Sequence, residues 1–266
     1  MTPRSRLLPT LFALTSLSLT HPLAHSQDKP TRLTFDVVSI RLSRPDVPNG
    51  LIKPLPGGSG YTAQNITVKL MMSLMYKVPM RQIKGGPDWF NSDHYDVEAR
   101  TDHPAYSIDD LHIMFQNLLA DRFNLKFHKQ TKEGPVYLLS VDQSGLKMKP
   151  DGNGQDLAIP ILPGKNNEFT GTKVPMQYLC WWLGQQLQSD ERPVIDRTAL
   201  DQSYDFTIAF APELPPDFPK ENLPPGLLDR PSIFDALKQQ LGLKLDAQKG
   251  PVDDYVIDHI ERPSAN

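Results

Sequence analysis

Ser107-Ile108-Asp109-Asp110 begins a helix-like stretch that leads to Gly134-Pro135-Val136 and the apolar run Tyr137-Leu138-Leu139-Ser140-Val141. The same order returns later. Ser232-Ile233-Phe234-Asp235 leads to Gly250-Pro251-Val252 and Tyr255-Val256-Ile257-Asp258. Upstream of each stretch, an apolar helix-like segment runs into a Tyr-Asp strand, Tyr95-Asp96-Val97-Glu98 in one case and Tyr204-Asp205-Phe206-Thr207 in the other. The chain therefore reads as two duplicated halves. A duplication describes architecture and leaves the chemistry open.

Working outward, the Ser107 hydroxyl is placed to cap a helix, and Asp109 and Asp110 in its first turn suit the helix dipole. Leu111, Met114, Phe115, Leu118 and Leu119 recur at helical spacing and predict one buried face. Phe123–Lys129 and Val136–Val141 read as a hairpin turning at Lys132-Glu133-Gly134. Before this unit, 33–42 alternates as a strand and 45–60 reads as a Pro/Gly-rich loop. Thr67 is placed to cap a helix that Pro79 ends, and 94–100 is a strand.

In the second half, Pro175 sits where a first helical turn accepts proline, and Met176, Leu179, Cys180, Leu183 and Leu187 supply the buried face. Val194-Ile195 and 204–210 read as strands, and 212–231 as a proline-rich loop. A last helix starts at Ser232 and ends at Gly242, a left-handed C-cap. Leu243-Lys244-Leu245 and 255–260 read as a closing hairpin with Asp253-Asp254 in its turn. The expected fold is α+β, each half a small, mainly antiparallel sheet with helices on one face. The divisions are a signal peptide at 1–26, a first half at 27–149, a linker at 150–167 and a second half at 168–266.

The leader carries Arg4 and Arg6, then a short apolar run interrupted by Pro9. Ala24-His25-Ser26 follows, with small residues where a signal peptidase reads. Export with cleavage before Gln27 is the expectation, to the periplasm or beyond. An uncleaved anchor or a buried helix is the alternative. The run is shorter than the ~20 residues a membrane span needs, and no later segment is long and apolar enough. Without Arg4 and Arg6, the 28 basic residues fall to 26 against 31 acidic ones, a formal charge of −5. That balance disfavours wrapping nucleic acid. Cys180 is the single cysteine, so an intrachain disulfide and a thiolate cluster are excluded. Its apolar setting argues for core packing.

The segments Phe35-Asp36-Val37-Val38-Ser39-Ile40, Gln82-Ile83-Lys84-Gly85-Gly86-Pro87-Asp88-Trp89 and Leu119-Ala120-Asp121-Arg122-Phe123 resemble the N-terminal half of a known family. Arg192-Pro193-Val194-Ile195-Asp196-Arg197-Thr198, Tyr204-Asp205-Phe206, Gln240-Leu241-Gly242-Leu243-Lys244-Leu245 and Val256-Ile257-Asp258-His259 resemble its C-terminal half. It is the soil-associated group of uncharacterised secreted bacterial proteins, a domain of unknown function, and the resemblance spans about residues 33–263. No activity, cofactor or site residue comes with it. In some relatives a similar domain is joined to a membrane-embedded sensor peptidase, which implies extracytoplasmic sensing. A weaker resemblance is to the short N-terminal domains of secretins and TonB-dependent receptors. Cys180-Trp181-Trp182 departs from the family pattern, where plainer helix residues are expected.

Known catalytic and metal motifs are missing. There is no His-Glu-x-x-His, P-loop, Rossmann fingerprint or Gly-x-Ser-x-Gly elbow, and Asp151-Gly152-Asn153-Gly154-Gln155 lacks the later ligands of a calcium loop. Asp88, Asp96, Asp196 and Asp205 recur beside turns, where short carboxylates bond backbone N–H groups. Trp89, behind a Gly-Gly-Pro turn, is the aromatic best placed to stack on a sugar or peptide. The candidate ligand-binding residues are Trp89, Asp88, Asp196 and Arg197, with no catalytic residue, metal or cofactor assigned. The expected function is a non-catalytic binding module for an envelope protein, peptide or glycan. The alternative is a carboxylate-dependent hydrolase of polysaccharide or peptide.

Overall fold

The computed structural model describes residues 32–44, 50–103, 105–150, 159–164, 168–187, 192–214, 218–219 and 223–263. The leader at 1–26, and 151–158 and 165–167 of the connecting segment, lie outside the described residues. The fold is α+β, and the described residues form three four-stranded sheets.

The first sheet is antiparallel, in the order β1 (Val37–Leu42), β5 (His94–Arg100), β3 (Gly60–Thr67), β2 (Leu51–Pro54). Strand β5 alternates: Tyr95, Val97 and Ala99 point into the core and their neighbours point outward, as the two-residue period of a strand demands. Helix α1 (Val68–Tyr76) follows β3 directly; the Thr67 hydroxyl accepts the Leu70 N–H at 3.2 Å. It ends where Lys77 turns left-handed at φ 53°, two residues before Pro79. A short helix α2 (Trp89–Ser92) precedes β5.

Helix α3 (Ile108–Arg122) opens with the reciprocal cap its sequence predicts. The Ser107 hydroxyl accepts the Asp110 N–H at 3.1 Å, and the Asp110 carboxylate accepts the Ser107 N–H at 3.3 Å. Its apolar stripe joins Met71, Met72, Met75 and the inner face of the first sheet in one core. These elements form the first lobe. One part of the 45–60 reading is corrected: Leu51–Pro54 forms an edge strand, a position that tolerates Pro54.

The second lobe has a sheet in the order β7 (Lys149–Pro150), β11 (Ser203–Ile208), β9 (Phe169–Pro175), β8 (Ile161–Pro163). Helix α4 (Met176–Gln186) follows β9, and α5 (Ile233–Ala236) runs on into a π-helical turn, Leu237–Leu241. Gly242 ends that turn at φ 69°; a side chain there would overlap the Gly145 carbonyl, so glycine is required twice over. Leu179, Leu183, Leu237 and Leu241 pack with Tyr204, Phe206 and Ile208 in a second core.

Both expected hairpins are absent. Lys126–Val141 is one continuous strand, β6, and Leu243–His259 is another, β12. They pair antiparallel over nearly their whole length, from Val141↔Leu243 to Lys126↔His259. Gly134 and Gly250 do not turn the chain; they face each other at the ribbon's midpoint. A Cβ on Gly134 would meet Val252 Cγ2 at 3.0 Å, and one on Gly250 would meet Val136 Cγ2 at 3.0 Å. The glycines make room for the neighbouring valines. Pro135 and Pro251 sit where no described strand pairs with the outer side of the ribbon, so their missing N–H groups cost no ladder bond among the described residues.

Asp253-Asp254 therefore lie in mid-strand instead of a turn, and buried Asp254 pairs with Lys132 Nζ at 2.5 Å. Two short strands complete this middle sheet, in the order β10 (Val194–Asp196), β6, β12, β4 (Ile83–Lys84), both joining in parallel. One end of the ribbon, with Phe127, Tyr255 and Ile257, packs on the first core. The other end, with Tyr137, Leu139, Leu243 and Leu245, is part of the second.

Candidate functional site

A cleft of about 450 Å³ opens where the two lobes meet the ribbon. Its floor is one face of β12: Pro251, Asp253 and Tyr255 are alternate residues and so point the same way. One wall is α4, which presents Gln177, Cys180 and Trp181 at helical spacing. The opposite wall is the segment after α1, with Lys77, Val78, Pro79 and Gln82. The rim is the unbroken stretch Pro193–Arg197, which contains β10.

Side chains from the first lobe hold the second in place around this cleft. Arg81 donates from Nη1 to the Gly184 carbonyl at 3.1 Å and from Nη2 to the Arg192 carbonyl at 2.9 Å. Gln82 Nε2 donates to the Asp253 carbonyl at 3.0 Å. The Lys129 ammonium lies 5.1 Å from the centre of the Tyr255 ring, within cation–π range. The walls are thereby tied together by charge-assisted and amide bonds, and the cleft is preformed.

The reactive groups that line the cleft are held by their surroundings. Burial, then the charge of Asp196, pushes the Cys180 thiol up to about 12, so it stays protonated and is a poor nucleophile at neutral pH. Asp196 Oδ1 accepts the Thr198 N–H at 2.8 Å and the Thr198 hydroxyl at 2.7 Å, which fixes the turn after β10. Asp253 Oδ1 accepts the Thr131 hydroxyl at 2.6 Å, and its Oδ2 lies 3.8 Å from Lys129 Nζ. Both carboxylates are thus engaged in holding structure. Arg197 reaches only its neighbour's carbonyl, Asp196 O, at 3.2 Å, and has no carboxylate partner among the described residues. Trp181 Nε1 is buried and has no hydrogen-bond partner among the described residues.

Of the four residues the sequence singled out, Asp196 and Arg197 stand together on the rim of the cleft. Trp89 and Asp88 lie elsewhere, at α2. Trp89 is half-buried against the first core with the Arg262 guanidinium 5.2 Å from its ring centre, and Asp88 is exposed. Asp88 differs from the other turn carboxylates. Its side chain makes no cap bond, whereas Asp96 accepts the Asn65 N–H at 3.0 Å and Asp205 accepts the Lys173 N–H at 2.7 Å. Trp181, Tyr255, Gln82 and Gln177 were missed. The one signal in the sequence was the unexpected Cys180-Trp181-Trp182, which places an aromatic on the cleft side of α4.

A smaller cavity of about 140 Å³ lies nearby, with Lys77, Asp109 and His112 on one side and Lys173 and Tyr178 on the other. His112 is buried; its Nε2 lies 3.3 Å from the Tyr61 hydroxyl, and its Nδ1 has no hydrogen-bond partner among the described residues. Burial, then the Lys77 charge, lowers the His112 pKa to about 4, against a small opposing pull from Asp109. Among the described residues, no group of three His, Cys, Asp or Glu side chains is arranged to hold a metal ion. No described helix is long and apolar enough to cross a membrane.

Neither a curated protein nor a solved structure matches this chain. A family model does match, over residues 69–260, which takes in the second lobe, the ribbon, every wall of the cleft and, of the first lobe, nearly all of α1 together with α2, β5 and α3. The chain belongs to the family described as Protein of unknown function (DUF3738).

Proposed function

We propose that this protein is an exported, non-catalytic binding module whose ligand, an envelope peptide, protein or glycan, sits in the cleft between the lobes. The observation that carries the reading is the state of the cleft's reactive groups. Its thiol is held protonated and its carboxylates are bonded to Thr198, Thr131 and Lys129, while aromatic, proline and amide groups remain to meet a ligand. Clefts with apolar walls and a few placed polar groups are the usual form of a ligand site. A role in extracytoplasmic sensing fits a cleft whose two walls belong to different lobes, because a bound ligand would bias how they sit.

The duplication belongs to the same reading. Asp96 and Asp205 bond the N–H of left-handed Asn65 and Lys173; Ser107 and Ser232 cap α3 and α5; β4 and β10 join the ribbon on opposite sides. Two related halves that exchange their short strands would account for all three. Failure to superimpose β3 to β6 on β9 to β12 would remove this part of the reading.

Calorimetric titration of the mature protein with muropeptides, N-acetylglucosamine oligomers and envelope peptides tests the binding role. Binding that Trp181→Ala weakens is the expected result; no binding by any probe overturns it. Fusion of residues 1–30 to a reporter active only outside the cytoplasm tests export, and a silent fusion counts against it. The hydrolase reading keeps one observation in its favour: Asp196 and Asp253 line the same cleft. Hydrolysis of a glycan or peptide that Asp196→Asn or Asp253→Asn abolishes would restore it.

A further inference from the structure

We propose that the outer edge of β10 receives an extended peptide as an added strand, and that Arg197 selects a peptide carrying an acidic group. The inference rests on the binding-module reading and names the ligand class of its cleft.

The backbone direction follows from two bonds. The Pro193 carbonyl accepts the Tyr137 N–H at 2.9 Å, and the Arg197 N–H donates to the Leu139 carbonyl at 2.8 Å. Residues 193 and 197 therefore turn their peptide groups toward β6, and by the alternation of a parallel ladder so does Ile195. Val194 and Asp196 turn theirs away. Among the described residues nothing bonds the Val194 N–H, the Val194 carbonyl or the Asp196 N–H, and the Asp196 carbonyl takes only the Arg197 guanidinium. Buried peptide groups in proteins are nearly always bonded, and an open strand edge is a ready template for another chain.

This edge borders the cleft. A cavity lying on one face of a strand touches alternate residues, as it does at Pro251, Asp253 and Tyr255. At β10 five consecutive residues line it, so the cavity runs along the strand's side. Residues 194–196 are each half-buried, sheltered enough for added ladder bonds to form out of bulk water. A peptide laid there would bring its side chains against Trp181 and Tyr255 in turn.

Charge then selects. Asp196 and Asp253 are occupied, and Lys77 has Asp109 within 3.5 Å. Arg197 is the cation of the cleft without a carboxylate partner among the described residues. Its fork of N–H donors matches a carboxylate. Strand addition supplies affinity through main-chain bonds and leaves specificity to such side-chain contacts.

The test uses the mature protein and acetylated, amidated hexapeptides randomised at alternate positions, with Glu, Gln or Lys fixed at the fourth. N-acetylglucosamine oligomers form a parallel arm. Binding is followed by calorimetry, and amide exchange of Val194 and Asp196 by NMR. The Glu peptides are expected to bind and to slow exchange at both amides, and the Gln and Lys peptides to bind roughly tenfold more weakly. Val194→Pro removes the outward donor while leaving the β6 ladder untouched, and should abolish peptide binding. Arg197→Gln should erase the preference for Glu, a readout that holds if the proline variant fails to fold.

Peptide binding without protection of these amides, or binding that survives in a folded Val194→Pro protein, overturns the proposal. Glycan binding without peptide binding overturns it and leaves the binding-module reading intact. Silence in both arms overturns the two together.

Discussion

The two lobes place the same kind of bulge at the same point of their sheets and secure it differently. In the first, Asp96 gathers the Asn65 N–H, the Ser43 hydroxyl at 2.6 Å and the Arg41 guanidinium at 3.2 Å. In the second, Asp205 receives the Lys173 N–H, and β11 is flanked by the two-residue strand β7 in place of a six-residue neighbour. The helices follow suit. Thr67 and Ser107 cap α1 and α3, whereas α4 starts at Pro175 without a side-chain cap. In the second lobe Phe169 stacks on Phe210 at 5.5 Å and meets the Trp182 ring edge-on at 5.1 Å. Among the described residues, the Asp96 carboxylate has three polar partners and the Asp205 carboxylate holds one backbone N–H. The cleft wall that carries Trp181 is α4, the helix that starts without a side-chain cap.

The largest expected effects come from emptying either core. Leu119 and Leu183 are fully buried, one in each core, and Leu119→Ala and Leu183→Ala should each cost about 3 kcal/mol. Because the ribbon serves both cores, calorimetry should show a single transition that moves in both variants. Two transitions, each answering to one mutation, would make the lobes independent.

Next comes a pH effect confined to the first lobe. His112 titrates near 4 when folded and near its ordinary 6.5 when unfolded. Between these values the unfolded chain binds more protons, so stability should fall as pH drops through that window, by up to about 3 kcal/mol. His112→Gln should flatten this slope in denaturant titrations at pH 7, 5.5 and 4. A slope unchanged in the variant would assign it to other groups.

Smaller differences sharpen the contrast at the bulges. Burial alone would raise the Asp96 pKa, but bonds from Ser43, Asn65 and Arg41 outweigh it and hold the carboxylate below its usual range. Asp96→Ala should cost about 2 kcal/mol, and Asp205→Ala about half that. Equal losses in urea melts would mean that Lys173 at φ 54° is under strain that Asp205 alone relieves. The smallest effects are at the caps: Ser107→Ala and Ser232→Ala should each cost about 1 kcal/mol in the same melts.

What the sequence revealed was local. Ser107 with Asp110, Thr67 before an apolar stripe, and Gly242 at a helix end each act within four residues, so pattern alone finds them. The ribbon was hidden because Gly134-Pro135 carries two meanings. The pair that makes a turn also suits the crowded midpoint of two paired strands, and only the distant partner, Gly250, distinguishes them. The cleft was hidden for a related reason. Its walls come from four separate segments, and Trp181 beside Cys180 in an apolar helix looks like core until the other three are in place.

The pairing of β6 with β12 also governs when this molecule can become itself. Each register pair joins residues more than a hundred positions apart, the kind of long-range closure that slows folding. Tyr255 and Ile257, which seal the first core, are made long after the residues they pack on. A ribosome releasing the chain from its N-terminus would therefore hold a half-finished first lobe until the second lobe had emerged. A copy cut short before residue 243 would be left with both cores open to water.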